Sequence, residues 1–367
     1  MKDRLGNIVV TFIACVISLL GMEFALRLFG DDVLAMGNQF VFFRFDEKLG
    51  WYNNPDTTGY FARAEYRIKI DINSQGMRDR EPLPPNASQR RVAVLGDSFV
   101  WGVGVEYGER FTELLEKQMP GTDALNYGVS GFGTTQELVL LDSVLQQKPD
   151  QVVVALCLSN DVMESVSPFR QGYNKPFARR GANGSAEVTG YPLLNVKAMG
   201  PTLIGADSGI RLLYLYNMVE QKLAGEPTET RAERFKTAFT IGDDNLYGRD
   251  EFLTSAQREQ KQLAFDLEAD LLRQMKQKVD AALGPGRFLV AFVPTKVELT
   301  SSDKISGAEI GDQLLKRLRA LNIDVVDPRS AFTAEEFLRR DGHWNTKGHQ
   351  LFANILAERL SHSKPVD

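Results

Sequence analysis

Residues 91–99 read RVAVLGDSF. A short β-branched run ends at a glycine, an acid and a hydroxyl follow, and a helix pattern resumes in RFTELLEKQM at 110–119. The same alternation continues downstream. ALNYGV at 124–129 predicts a second strand and TTQELVLLDSVLQQ at 134–147 a helix, and QVVVALCLS at 151–159 is a third, almost uninterrupted apolar strand. After a long interval come FLVAFVP (288–294), the helix GAEIGDQLLKRLRALN (307–322), the strand DVVDP (324–328) and a last helix in GHQLFANILAERLS (348–361). Continuous apolar strands separated by amphipathic helices imply a parallel sheet covered on both faces, a three-layer α/β/α domain.

The alternation is broken between Ser165 and Gly286, read as an insertion over 165–286. Its first part, residues 165–192, is polar and rich in glycine and turn residues, and is expected to be loop. Two helical segments are expected after it, GIRLLYLYNMVEQKL at 209–223 and a charged one at 255–283. A peripheral helical hairpin and a cover over the sheet rim fit this pattern equally well.

Ahead of the α/β region lies a segment of different character. Residues 8–22, IVVTFIACVISLLGM, carry no charge, and apolar residues continue to Phe29. As one helix, 8–29 reaches about 33 Å at roughly 1.5 Å per residue, close to the bilayer hydrocarbon thickness. Glu23 and Arg27 stand four apart and can pair at the interfacial end. Residues 1–30 are therefore expected to be an uncleaved signal anchor, because GMEFALRLFG offers no small-x-small cleavage site. Lys2 and Arg4 put the N-terminus in the cytoplasm and the rest on the extracytoplasmic side. Residues 31–88, ending in the Pro-rich EPLPPNAS, read as a membrane-proximal extension, and 89–362 as the main domain.

With 43 Lys and Arg against 48 Asp and Glu, a net charge of −5, and no basic run, a nucleic-acid partner is not expected. Two Cys and three His, scattered, offer no zinc-like ligand spacing, so catalysis without metal or cofactor is expected. There is no P-loop, no dinucleotide fingerprint and no G-x-S-x-G.

Chemistry points to the carboxyl edge of the sheet, where ligands bind in open α/β folds. Ser98 follows the first strand, but its hydroxyl needs a base. Of the histidines, His362 lies in the polar tail and His349 inside the last helix. His343 sits in Asp341-Gly342-His343-Trp344-Asn345, just before that helix. Gly131, in NYGVSGFGTT after the second strand, and Asn160, in LSND after the third, supply candidate oxyanion donors. Taken singly, Ser98 could be a helix N-cap and Asp341 with His343 a surface pair. Their joint position at one edge favours nucleophile, base and orienter.

Gly96-Asp97-Ser98, Gly131, Asn160 and Asp341/His343 resemble, in that order, the four blocks of the SGNH (GDSL-type) hydrolase superfamily. The resemblance covers about residues 90–165 and 287–360. It implies a flavodoxin-like fold and acyl-ester chemistry, with Ser98 as nucleophile, His343 as base and Asp341 as its orienter. It also implies an oxyanion hole from the Ser98 and Gly131 N–H groups and Asn160. The usual pattern puts the Asp three residues before the His; here position 340 is Arg and the carboxylate is two before. That spacing, with Trp344, is similar to the Asp-x-His-Trp motif of bacterial polysaccharide O-acetyltransferases of the alginate-acetylation type, and VPTKVEL at 293–299 is a shorter likeness. The expected activity is an anchored esterase or O-acyltransferase acting on acetyl esters of carbohydrate, with a multispanning membrane acyltransferase as a candidate partner. The alternative is a catalytically silent module that binds glycan or a membrane partner.

Overall fold

The computed structural model describes residues 2–29, 42–63, 65–81, 89–170, 173–193, 254–296, 307–339 and 341–362. Five strands form one parallel sheet: β5 (Arg90–Gly96), β6 (Thr122–Gly128), β7 (Gln151–Cys157), β12 (Phe288–Val293) and β13 (Val325–Val326). They lie in the order β13-β12-β7-β5-β6. In chain order this is 2-1-3-4-5, the flavodoxin-like arrangement, with its switch point between β5 and β7.

Strand alternation sends the two sets of side chains to opposite faces. Ala93, Leu95, Val152, Val154, Leu156, Phe288, Val290 and Phe292 enter one core cluster. Val92, Val94, Val153, Ala155, Leu289, Ala291 and Val293 enter the other. Both faces being buried explains why the strands read as unbroken apolar runs, each large aliphatic residue contributing about 1.5–3 kcal/mol of burial. The first face is covered by α4 (Thr134–Gln146), α6 (Ser255–Leu283) and α7 (Gly307–Ala320). The second is covered by α3 (Phe111–Gln118) and α8 (Thr346–His362), with the short α2 (Ser98–Trp101) at its upper end.

The segment 165–286 therefore divides into parts of different kind. Its charged helical stretch is α6, which buries Phe265, Leu271, Leu272, Met275 and Val279 against the sheet and is the crossover from β7 to β12 rather than a peripheral element. The polar stretch expected to be loop contains two short hairpins, β8–β9 (Phe169–Arg170, Tyr173–Asn174) and β10–β11 (Phe177–Arg180, Ala186–Thr189). The second hairpin is clipped to α6, with Ala186 N–H donating to Asp270 Oδ2 at 2.7 Å and Gln274 Nε2 donating to Ala186 O at 2.8 Å. These cross-chain bonds stabilise strands that local apolar pattern alone does not announce. The expected helix at 209–223 lies outside the described residues.

Residues 42–81 form two more hairpins, β1–β2 (Phe43–Asp46, Gly50–Asn53) and β3–β4 (Thr58–Arg63, Tyr66–Asp71). Phe42, Phe61, Ile68, Ile70 and Ile72 make a small core with Trp101 and Val103, while Trp51 and Tyr52 enter the main core. The extension thus packs on the carboxyl edge of the sheet, beside α2.

At the N-terminus, α1 (Lys2–Phe29) contains a 20-residue apolar stretch, Gly6–Ala25, with mean hydropathy 2.3 and none of it buried. It is long and apolar enough to be a membrane span or signal anchor. The Arg27 side chain, and with it the expected pairing to Glu23, lies outside the described residues.

Candidate active site

The loops after β5, β6, β7 and β12 open at one edge and enclose a cavity of about 320 Å³. Ser98, Gly131, Asn160, Asp341 and His343 all line it. Ser98 is the first residue of α2, and the N-cap is its neighbour Asp97, whose Oδ1 accepts from Phe99 N–H at 2.9 Å. The capping role open to Ser98 thus falls to Asp97, leaving the Ser98 hydroxyl to the cavity.

His343 Nε2 lies 2.7 Å from Ser98 Oγ, and His343 Nδ1 lies 2.5 Å from Asp341 Oδ1. These three side chains form one hydrogen-bonded row spanning 245 residues of sequence. The spacing of two between Asp341 and His343 works because the loop folds back on itself: the His343 N–H also donates to Asp341 Oδ1, at 3.1 Å. Burial pushes the Asp341 carboxyl up, but the hydrogen bonds and charge of His343, with a bond from Tyr66, outweigh it and hold the group at about 2. Asp341 is therefore a carboxylate throughout the neutral range, the state that fixes the imidazole with its proton on Nδ1.

The loop carrying this pair is anchored by Trp344, fully buried, whose indole N–H donates to Pro294 O at 3.0 Å. Its ring packs on Phe99, Phe332 and Phe352, at centroid distances of 4.9, 5.2 and 4.8 Å. Asn345 accepts from the N–H groups of Lys347 and Gly348 and so caps α8. His343 is thus held between a packed aromatic and a helix start.

The two candidate oxyanion loops are built differently. Gly131 has φ +82, a left-handed conformation that a side-chain-bearing residue adopts only with strain. Gly128, at the end of β6, faces the backbone of α2 so closely that a Cβ there would stand 2.4 Å from Trp101 N. The helix that Ser98 begins can sit this near β6 only because position 128 has no side chain. Asn160 donates from Nδ2 to Asp97 Oδ2 at 3.1 Å, so the acid of Gly-Asp-Ser orients the amide of the neighbouring loop. Behind them, burial raises the carboxyls of Asp161 and Glu137 well above their ordinary range, Asp161 also accepting from Cys157 N–H at 2.6 Å.

His349 is not in the cavity. It is buried in α8, accepts Phe111 N–H at Nδ1 (3.2 Å), and serves packing, as its place in the helix pattern implied. Among the cavity residues, Tyr66, Phe61 and Arg170 lie outside every motif block read from the sequence. Tyr66 and Phe61 come from the extension and Arg170 from the β8–β9 hairpin, so no local spacing ties them to Ser98. Lys296, which also lines the cavity, stands just after β12 in the VPTKVEL stretch already noted as a short likeness.

Residues 241–367 match the family model described as the SGNH hydrolase-like domain of acetyltransferase AlgX. That stretch includes Asp341 and His343, whereas Ser98, Gly131 and Asn160 lie before it. No curated protein matches the chain. Solved structures similar to it include a member of the lipolytic G-D-S-L family from Veillonella parvula (12% identity, 74% of this chain and 99% of that one, TM-score 0.39). Others are a lipase/acylhydrolase from Enterococcus faecalis (14%, 76% and 100%, 0.39) and a carbohydrate acetylesterase from Sinorhizobium meliloti (10%, 74% and 99%, 0.37). The family match thus covers the part of the chain that holds Asp341 and His343, and the four motif blocks gather in order at one edge of a 2-1-3-4-5 sheet.

Proposed function

We propose that the protein is a membrane-anchored serine esterase or O-acyltransferase that acts on acetyl esters of a carbohydrate through an acyl-enzyme on Ser98. The observation that carries the reading is the unbroken row from Ser98 Oγ through His343 to the ionised Asp341, opening on a cavity of short-chain size. The match to an acetyltransferase's SGNH domain supports the acetyl group.

In the first half-reaction His343 Nε2 takes the Ser98 proton as Oγ bonds to the ester carbonyl carbon. The oxyanion is held by the Ser98 and Gly131 N–H groups and the Asn160 amide. Collapse breaks the bond to the alcohol, which leaves with the proton from His343. In the second half, water or a sugar hydroxyl gives a proton to His343 and attacks the acyl carbon, and collapse breaks the bond from that carbon to Ser98 Oγ, which takes the proton back from His343. Both acceptors use the same groups.

The anchor and the charges of Lys2 and Arg4 support an extracytoplasmic catalytic domain, tethered through residues 8–29 to the bilayer. A multispanning acyltransferase in the same membrane is the partner this geometry suits as acyl donor.

The test is Ser98→Ala in the full chain. Fluorophosphonate labelling and turnover of an activated acetyl ester should both vanish, and retention of either sinks the proposal. With an acetylated donor and an oligosaccharide present, free acetate marks hydrolysis and acetylated sugar marks transfer.

A further inference from the structure

The pair Asp341–His343 sits on a turn whose middle residue, Gly342, has open space around it, and the Asp341 side chain is 21% exposed. Packing alone does not fix the plane of that carboxylate. Asp341 Oδ1 is committed twice to His343. The other oxygen, Oδ2, accepts from the hydroxyl of Tyr66 at 3.1 Å, and the Asp341 N–H donates to Glu65 Oε2 at 2.9 Å. Both partners stand at the tip of the β3–β4 hairpin, some 275 residues earlier in the chain. That hairpin is itself fixed to the nucleophile's helix: the Phe61 ring packs on Tyr66 (5.9 Å) and on Trp101 (6.1 Å), and Trp101 is the last residue of the helix that Ser98 begins. One small body therefore touches both ends of the catalytic row.

We propose that Tyr66 is a positioning residue. Its hydroxyl holds the second oxygen of Asp341 so that Oδ1 faces His343 Nδ1, and the N-terminal extension thereby completes a row Tyr66–Asp341–His343–Ser98. The inference rests on the serine-esterase reading above. It changes the standing of residues 42–81: they are a part of the catalytic centre, supplied from outside the four motif blocks, and the cavity wall they form with Phe61 is built by the same hairpin.

The experiment compares wild type, Ser98→Ala and Tyr66→Phe as full chains in detergent, on an activated acetyl ester and with a fluorophosphonate. A hydrogen bond to a charged group contributes roughly tenfold or more. Tyr66→Phe should accordingly lower kcat and the labelling rate by about that factor, with KM within about twofold and the unfolding midpoint unchanged. Wild-type kcat and labelling in Tyr66→Phe, with Ser98→Ala inactive, would overturn the positioning role and leave the esterase reading standing. So would a loss that tracks a lowered unfolding midpoint, since that marks a purely structural contact. Activity retained in Ser98→Ala removes the parent reading and this one with it.

Discussion

His343 and His349 share one loop-and-helix segment yet meet opposite surroundings. His343 faces a cavity and a carboxylate, whereas His349 is 1% exposed and takes its one hydrogen bond from a backbone donor, Phe111 N–H. Burial pushes the His349 imidazole down, and the nearby charges of Arg110, Arg78 and His343 push it further, to about 3. The sign for stability follows directly. Below about pH 6.5 the unfolded chain protonates this residue while the folded chain does not, so stability falls as pH drops from about 6.5 towards 3, by up to about 1.4 kcal/mol per pH unit. His349→Leu should cost about 1–3 kcal/mol at neutral pH, because Phe111 N–H loses its acceptor. It should also flatten the acid limb of stability over that window. Urea melts at a series of pH values measure both effects, and an unchanged acid slope would show that other groups dominate it.

At the level of elements, the short helix that carries Ser98 is stabilised from outside. Four residues cannot hold their own C-terminal carbonyls. Arg78 does so instead: its guanidinium donates to Trp101 O (2.9 Å), Gly102 O (2.5 Å) and Val105 O (2.8 Å), and lies 5.1 Å from the Trp101 ring. Arg78 is 1% exposed. Arg78→Met should therefore destabilise by about 3 kcal/mol or more, since three buried acceptors lose a charged donor at once. The denaturant midpoint should drop at constant slope and kcat should fall with it; a wild-type midpoint would show that water replaces the guanidinium. Arg78 also shows what the sequence does and does not make legible. The sheet strands are visible because burial on both faces writes itself as consecutive β-branched residues, as in QVVVALC. The hairpins of 42–81 are not, because their apolar residues are few and reach burial only against partners distant in sequence, Phe61, Ile68 and Ile70 against Trp101 and Val103, and Trp51 and Tyr52 in the main core. The site divides in the same way. Ser98 and His343 stand in compact motifs, whereas Tyr66 and Arg78 act through contacts that no local spacing encodes.

Over the whole molecule, the two N-terminal pieces have opposite relations to the domain. The extension shares cores and hydrogen bonds with it: Trp51 Nε1 donates to Ser130 O, in a loop that lines the cavity, and Asn53 Nδ2 to Gly128 O, at the end of β6. The first helix shares none of its apolar stretch, and Ile8, Phe12 and Phe24 are 65%, 68% and 65% exposed. Exposing such a surface to water is costly, and a bilayer of about 30 Å hydrocarbon thickness would cover it. Cutting between the two should therefore have little effect on folding, whereas cutting after the extension should be destructive. A chain lacking residues 1–30 is expected in the soluble fraction, with the unfolding midpoint of the full protein and the same kcat on a small acetyl ester. The full chain is expected in the membrane fraction, retained in high salt because apolar burial rather than charge holds it, and released by detergent. A chain starting at residue 89 removes Phe61, Ile68 and Ile70 from Trp101, and Arg78 from α2, and should aggregate or lose activity. Sedimentation, thermal melts and ester turnover on the three chains decide the matter. Aggregation of the chain lacking only 1–30 would mean that the first helix packs on protein, and full activity of the chain starting at 89 would mean that the extension does not belong to the catalytic centre.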